Sequence, residues 1–166
     1  MTTNATVVAT GSVTITGGKS INHMILGGAV VTKKLSAALS DSNDAVAVNT
    51  LTAGQFLVNL RNGGNSLNLT DPFLNTVGNS VGKVSYTGGT GVDQVSVLVG
   101  GGRFNVIDEF FAILGAGDDS LTITVGVPKK FKIDGGADSN DHLLSTGERP
   151  AVGANLSIKD FETTPD

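Results

Sequence analysis

Asn and Asp side chains recur along the chain where their oxygens could bind backbone N–H groups. Each of seven such residues stands just before a short segment in which apolar and polar residues alternate. These anchor residues are Asn4, Asn22, Asp44, Asn65, Asp93, Asp119 and Asp141. Asn and Asp favour turns because their side-chain oxygens accept hydrogen bonds from nearby backbone N–H groups. One interpretation is therefore that the anchors form Asx turns or a side-chain ladder.

Glycine-rich turns surround the last three anchors. The turns read G-G-T-G-V-D-Q-V-S at 88–96, L-G-A-G-D-D-S-L-T at 114–122 and G-G-A-D-S-N-D-H-L at 135–143. Glycine adopts positive φ at little steric cost. On the structural interpretation, the glycines supply tight backbone turns and nothing more.

Neighbouring carboxylates offer a different chemistry. The pairs Asp108 with Glu109, Asp118 with Asp119, and Asp138 with Asp141 could place two acids close enough for glycoside cleavage. The chain has one Tyr, no Trp and few arginines, however, so it lacks the aromatic platforms and basic residues that usually line a sugar-cleaving cleft. We expect no enzymatic activity, and a polysaccharide-active β-helix stays as an alternative.

The elements that position these residues repeat along the chain. Successive anchors are separated by 18, 22, 21, 28, 26 and 22 residues. A period of this size with a short strand in each repeat is typical of a solenoid. The sequence therefore predicts an all-β fold, a right-handed parallel β-helix or β-roll of about seven coils of 18–28 residues.

Apolar residues at fixed distances from the anchors predict two stacked columns of the core. The first column is Met24, Val46, Leu67, Val95, Leu121 and Leu143. The second is Leu26, Val48, Leu69, Val97 and Ile123, and the polar Ser145 then ends it. Side chains that alternate with a period of two lie on one face of a strand. Stacking of these faces would bury a continuous core.

Other segments complete the coils. Residues 58–60, 84–86 and 131–133 read as second strands that lead into glycine turns. Residues 104–107 and 110–114 read as two further strands in a long coil, and residues 31–40 as two helical turns or a loop. The pattern leaves open whether each coil has two sides or three.

The glycine–aspartate turns resemble the calcium-binding repeats of RTX (hemolysin-type) secreted proteins, because 88–96 matches the nonapeptide G-G-x-G-x-D-x-U-x. The resemblance covers mainly the C-terminal third, and its loops recur at 26 and 22 residues instead of in tandem. It implies Ca²⁺ held between stacked turns by carboxylate and carbonyl oxygens. The implied ligands are Asp93 and Asp119, with Asp141 or Asp138. The implied turn backbone comes from Gly88, Gly89, Gly91, Gly115 and Gly117.

Composition limits the remaining functions. The 166 residues fit a single domain, 1–166, which we expect to come from a longer chain. The net charge is −4 without a basic run, which is unlike a nucleic-acid-binding protein, and no apolar stretch is long enough to span a membrane. Cysteine is absent, which excludes disulfides and thiolate metal sites.

Together these features predict a non-catalytic structural or adhesive module of a secreted or cell-surface bacterial protein. Its partners would be further copies stacked end to end, or neighbouring domains of a longer chain, because terminal coils expose strand edges. The alternative is a calcium-responsive RTX-like folding module.

Overall fold

The computed structural model describes residues 2–5, 8–48, 51–69, 80–97, 106–124, 130–138, 140–146 and 155–161, which form fifteen β-strands and no helix. The strands are β1 Thr2–Ala5, β2 Val8–Ala9, β3 Ser12–Thr16, β4 His23–Leu26, β5 Ala29–Ala38, β6 Ala45–Val48, β7 Leu51–Arg61, β8 Ser66–Leu69, β9 Ser80–Gly88, β10 Gln94–Val97, β11 Val106–Gly115, β12 Ser120–Thr124, β13 Lys130–Gly136, β14 His142–Thr146 and β15 Asn155–Lys159. They belong to two parallel sheets, so the described part of the chain is a β-solenoid.

Sheet A contains the short strands that follow the anchors. Its order is β1-β4-β6-β8-β10-β12-β14, and every neighbouring pair is parallel. Both predicted core columns are confirmed by the register, in which Val46 pairs with Met24 and Leu67, and Val48 with Leu26 and Leu69. Ser145 pairs with Ile123, so the polar residue predicted to end the second apolar column lies next to the last apolar member of that column.

Sheet B contains the longer strands, in the order β15-β13-β11-β9-β7-β5-β2, with β3 also paired to β5. Its strands bend partway along their length. In β7 the buried Ala53 and Phe56 are separated by two consecutive exposed residues, Gly54 and Gln55, so the alternation shifts phase there. The strand turns a corner at this point, and the segment beyond it again buries every second residue.

The core lies between the two sheets and consists almost entirely of aliphatic side chains. Phe56, Tyr86 and Phe110 are its largest fully buried residues, and the rings of Phe110 and Phe131 stack with their centroids 5.6 Å apart. The inward-facing side chains become exposed to solvent at β15, the last described strand of sheet B. Ile133 is 0% exposed, whereas Ile158, its partner one coil further on, is 47% exposed.

Several sequence predictions need correction. Asn4 is not an anchor, because it pairs with Ile25 and not with Asn22; the register of β1 is set by Thr2 opposite His23. Residues 31–40 lie mostly in β5 and are neither helix nor loop, because Leu35 and Ala37 face the core with a period of two. Residues 106–107 and 110–114 belong to one continuous strand, β11, while 104–105 lie outside the described residues.

The number of coils is also slightly lower than predicted. Each turn of the solenoid advances one anchor, and five turns separate Asn22 from Asp141. The intervals of 22, 21, 28, 26 and 22 residues between these anchors therefore describe complete turns, while the first predicted interval of 18 residues, from Asn4, does not.

Candidate functional site

The six anchors from Asn22 onwards form a buried ladder inside the turns that precede sheet A. Each occupies the position directly before its strand and is at most 7% exposed. The backbone N–H of each of the first five anchors donates to the Oδ1 atom of the next anchor along the chain. The five N–O distances, in chain order from Asn22 to Asp119 as donor, are 2.7, 3.0, 2.9, 2.7 and 2.9 Å.

The ladder satisfies backbone groups that would otherwise be buried without partners. The residue after each anchor donates its N–H to the carbonyl oxygen of the preceding anchor, as Ala45 does to Asn22 at 2.8 Å. The anchor's own N–H has no such carbonyl partner, and the side chain one coil on supplies the acceptor. A buried, unpaired backbone N–H is costly, so the ladder fixes the register of each coil on the next.

Asn and Asp are equivalent at Oδ1 but differ at the second side-chain atom. In Asn65 the Nδ2 amide donates to the carbonyl oxygens of Arg61 at 3.1 Å and Gly63 at 2.9 Å, within its own turn. Asn22 makes the same two contacts with Gly18 at 3.1 Å and Ser20 at 2.6 Å. The asparagines therefore close their turns with hydrogen-bond donors.

Asp44 and Asp93 each have a dedicated donor for the second carboxylate oxygen. Asp44 Oδ2 accepts the Ser40 backbone N–H at 2.9 Å and contacts its hydroxyl at 3.4 Å. Asp93 Oδ2 accepts the Tyr86 hydroxyl at 2.8 Å, and both residues are almost fully buried. Burial raises the pKa of the Tyr86 hydroxyl, and the adjacent Asp93 carboxylate raises it further. Burial also raises the pKa of Asp93, and its hydrogen bonds oppose the rise.

Asp119 differs from both, because its buried Oδ2 atom accepts no hydrogen bond. The side chain is 0% exposed and lies between Asp93 and Asp141 in the ladder. Burial raises the pKa of Asp119 to about 7, and the carboxylates of Asp93, Asp141 and Asp138 also push it upwards, against the hydrogen bond from the Asp93 backbone. A buried acceptor of this kind calls for a donor or a positive charge.

The glycines of the predicted ion site serve the close packing of successive turns. A Cβ at Gly88 would overlap Asp93 Oδ2 and the Leu114 carbonyl oxygen. Gly115 has φ 114° and a Cβ there would overlap the Gly89 carbonyl oxygen. These contacts leave no room for a side chain, so glycine is required at both positions whether or not an ion binds.

Backbone hydrogen bonds join the same turns to one another. The Gly89 carbonyl accepts from Ala116 N–H at 2.8 Å, and Gly91 N–H donates to the Ala116 carbonyl at 2.6 Å. Gly117 N–H donates to Asp138 Oδ2 at 2.5 Å. Asp138 is thus a side-chain cap for the turn below it. From the sequence, Asp138 was predicted as an ion ligand or as one of a pair of acids, and not as a cap.

The structure distributes the predicted calcium residues along the stack. Asp93, Asp119 and Asp141 are consecutive ladder members, with Oδ1 atoms already engaged by backbone N–H groups. Among the described residues, no three His, Cys, Asp or Glu side chains group so as to hold a metal ion. The calcium interpretation stays a prediction, and Asp119 Oδ2 is a buried oxygen with capacity for a cation.

The remaining acidic pairs have separate partners. Glu109 lies on the outer face of sheet B and forms an ion pair with Lys130 at 2.5 Å, and Asp118 accepts from Asn140 Nδ2 at 3.3 Å. Asp119 is buried behind the turn surface.

Sequence analysis missed Ser40 and Tyr86 as partners of the ladder. Tyr86 lies seven residues before its anchor, in a core column whose other members include Val58, Ala112 and Ile133. The signal that could have identified it is the chain's single Tyr two residues before Gly88, the glycine that leaves space for Asp93 Oδ2.

No protein-family model matches the sequence, and neither a curated protein nor a solved structure shows significant similarity to it. In the part of the chain that the structure describes, there is no helix long and apolar enough to span a membrane.

Proposed function

We propose that the protein is a non-catalytic structural or adhesive β-solenoid module of a secreted or cell-surface bacterial protein, able to stack end to end. The observation that carries the proposal is the unbroken buried ladder. The side chains that could do chemistry are engaged in holding one coil on the next, from Asn22 to Asp141. The described coils thus form a regular stack, whose first and last coils lie at opposite ends of the axis.

The ends support association along the axis. At one end, Val13 and Ile15 of β3 are only partly buried although they pack against the core. At the other, Ile158 continues an inward column and is 47% exposed. Apolar side chains at the edges of stacked parallel strands are complementary to the same kind of edge in another copy or a neighbouring domain.

Sedimentation velocity at rising protein concentration tests end-to-end stacking. We expect a series of species that grows with concentration, and we expect Ile158→Lys to shift it back to the monomer because a charge would lie in the stacking interface. Ile113→Lys is the matched control, since Ile113 is 52% exposed but faces outward from sheet B. A wild-type protein that stays monomeric throughout, or equal loss of assembly in both variants, would contradict the proposal.

A second candidate function, a calcium-responsive folding module, is favoured by one specific observation. Three consecutive carboxylates occupy the C-terminal part of the ladder, and Asp119 Oδ2 accepts no hydrogen bond. Asn65 directs an amide donor at two carbonyl oxygens of its turn, whereas Asp119 has a carboxylate oxygen in the equivalent place. A hard cation would bind such a carboxylate together with carbonyl oxygens of the turn. Asp93, Asp119 and Asp141 would hold it, with backbone oxygens of the glycine turns.

Thermal unfolding with EDTA and then with millimolar Ca²⁺ tests this second function. A calcium-responsive module should melt at a clearly higher temperature with Ca²⁺, and Asp119→Asn should abolish the increase. The matched control is Asp44→Asn, because the second oxygen of Asp44 already has a donor in Ser40. An unchanged melting temperature in the wild-type protein would leave the turns purely structural.

A further inference from the structure

The outer face of sheet B is the most positively charged surface among the described strands. Its outward residues lie in three columns that run along the solenoid axis through strands β5, β7, β9, β11, β13 and β15. Five lysines occupy these columns: Lys34, Lys83, Lys130, Lys132 and Lys159.

Two acidic residues, Glu109 and Asp134, share the three columns, and a third, Asp108, precedes Glu109 on β11. Five lysines thus outnumber three carboxylates in a chain whose total charge is −4. The outer face of sheet A is different. The outward positions of its described strands from β4 to β14 hold no Lys, Arg, Asp or Glu. Among the outward strand positions of the described residues, the lysines thus belong to sheet B and none to sheet A.

The lysines are ordered along the axis. Lys34, Lys83 and Lys130 belong to a single column, in which Gln55 and Glu109 occupy the strands between them. Neighbouring strands lie about 4.8 Å apart, so these lysines recur roughly every 9.6 Å in a straight line. Such a row matches an extended polymer with regularly spaced acidic groups better than a single small anion.

An aromatic ring lies beside this row of lysines. Phe111 is partly exposed in the neighbouring column, and Lys83 Nζ lies 4.6 Å from its ring centroid. The partners of Phe111 on the adjacent strands are Ser85 and Lys132. A flat apolar ring flanked by ammonium and hydroxyl groups suits a sugar ring that carries a carboxylate, because it offers both a stacking surface and polar partners.

The ion pair with Glu109 does not remove Lys130 from this row. The two side chains are 51% and 31% exposed, and exposed pairs of this kind contribute little to stability. An ammonium group also has three donors, and Glu109 accepts only one of them in the described contact.

We propose that the outer face of sheet B binds a linear acidic polysaccharide, laid along the solenoid axis across Lys34, Lys83 and Lys130 with a sugar ring on Phe111. Binding of this kind does not depend on end-to-end stacking. It would give an adhesive module its ligand class, and its failure would leave the structural role intact.

Isothermal titration of the intact protein with polygalacturonate, at low ionic strength, tests the proposal. We expect binding that weakens as salt is added, and no binding of uncharged dextran. Replacing Lys34, Lys83 and Lys130 together by Gln should weaken binding about tenfold, because exposed charge contacts are individually small. Phe111→Ala should weaken it less.

The control substitution is Lys19→Gln, which removes the same charge from an exposed turn outside sheet B and should leave affinity unchanged. Circular dichroism checks that each variant is folded. The proposal is overturned if polygalacturonate does not bind, or if the triple variant binds as well as the wild-type protein. Equal or tighter binding of a single-stranded polynucleotide would overturn the choice of a polysaccharide.

Discussion

The two halves of the buried ladder use the same backbone geometry but differ in how they treat the second side-chain atom. In the N-terminal half, Asn22, Asp44 and Asn65 alternate, and each second atom has a hydrogen-bond partner. In the C-terminal half, Asp93, Asp119 and Asp141 follow one another, and Asp119 Oδ2 has none. The comparison shows that Oδ1 fixes the register, whereas the second atom decides the local charge and stability.

The difference has a direct physical origin. Stacked parallel strands place successive anchors about 4.8 Å apart, close enough for ionised carboxylates to repel one another strongly in a buried site. Asn65 separates Asp44 from Asp93 and interrupts this repulsion. No such spacer lies between Asp93 and Asp141. In the N-terminal half, the asparagines therefore separate the carboxylates from one another. In the C-terminal half, three adjacent carboxylates repel one another and lower the stability.

The largest loss of stability should follow removal of a ladder side chain whose two oxygens both accept hydrogen bonds. Asp44→Ala removes the acceptor for the backbone N–H groups of Asn22 and Ser40. We expect the free energy of unfolding to fall by about 4 kcal/mol, since two buried donors would be left unpaired. Urea denaturation measures it, with Asp41→Ala, in an exposed turn, as the control. A loss no greater than that of the control would show that the ladder contributes nothing to stability.

A smaller effect should appear as a dependence on pH. The pKa of Asp119 is about 7 in the folded protein and 3.8 without the fold, so the folded state binds the proton more tightly. The contribution of Asp119 to stability is then greatest below the unfolded pKa of 3.8. It declines as the pH rises towards the folded pKa of about 7 and is constant above that pH. The pKa difference corresponds to about 4 kcal/mol at most, and screening by water reduces the expected loss to about 3 kcal/mol. Urea titrations across this range should show the decline in the wild-type protein and a much flatter profile in Asp119→Asn.

Introducing a carboxylate into the N-terminal half should reproduce the strain of the C-terminal half. Asn65→Asp keeps the Oδ1 acceptor for Asp44 but replaces the amide that donates to the Arg61 and Gly63 carbonyls. We expect a loss of about 2 kcal/mol at neutral pH, smaller in acid where the new carboxyl is protonated. Comparison of chemical unfolding at the two pH values measures it. A loss independent of pH would contradict the electrostatic explanation.

The smallest effect concerns Asp93 in the C-terminal half, whose second carboxylate oxygen accepts a hydrogen bond from the Tyr86 hydroxyl. Tyr86→Phe removes the hydroxyl that donates to Asp93 Oδ2 and leaves the ring in the core. The free energy of unfolding should fall by about 1 kcal/mol at neutral pH, because Asp93 would then resemble Asp119. The loss should shrink in acid. Thermal melts at both pH values detect it, and a gain in stability would contradict the assigned hydrogen bond.

The fold was largely predictable because stacking imposes a strict pattern. Alternation in segments such as Ala45–Val48 fixes which side chains face inward, and each new coil repeats the constraint. Asn4 was wrongly predicted as an anchor because N-A-T-V-V fits the pattern locally. The strand pairing instead places Thr2 opposite His23. Residues 31–40 were not recognised as a strand because Lys33 and Lys34 both lie outward. Two consecutive outward residues interrupt the period of two that identifies a strand.

The site was predictable only in part, for a different reason. The anchors repeat in sequence, so their alignment into a ladder could be anticipated from six of the seven residues. The partners of the second atom could not, because Ser40 precedes its anchor by four residues and Tyr86 by seven. No fixed spacing exists, and each partner depends on how one turn leaves room for a neighbouring side chain.

The most direct test of the account is the unfolding free energy of Asp119→Asn and Asp44→Asn, measured in EDTA at neutral pH. Both keep Oδ1 and remove one charge. Asp119→Asn should be as stable as the wild-type protein or more so, because an amide removes the carboxylate repulsion and adds a donor. Asp44→Asn should be less stable by about 1 kcal/mol, because the amide would meet the Ser40 N–H donor. Equal destabilisation by both substitutions would contradict the distinction between the two halves of the ladder.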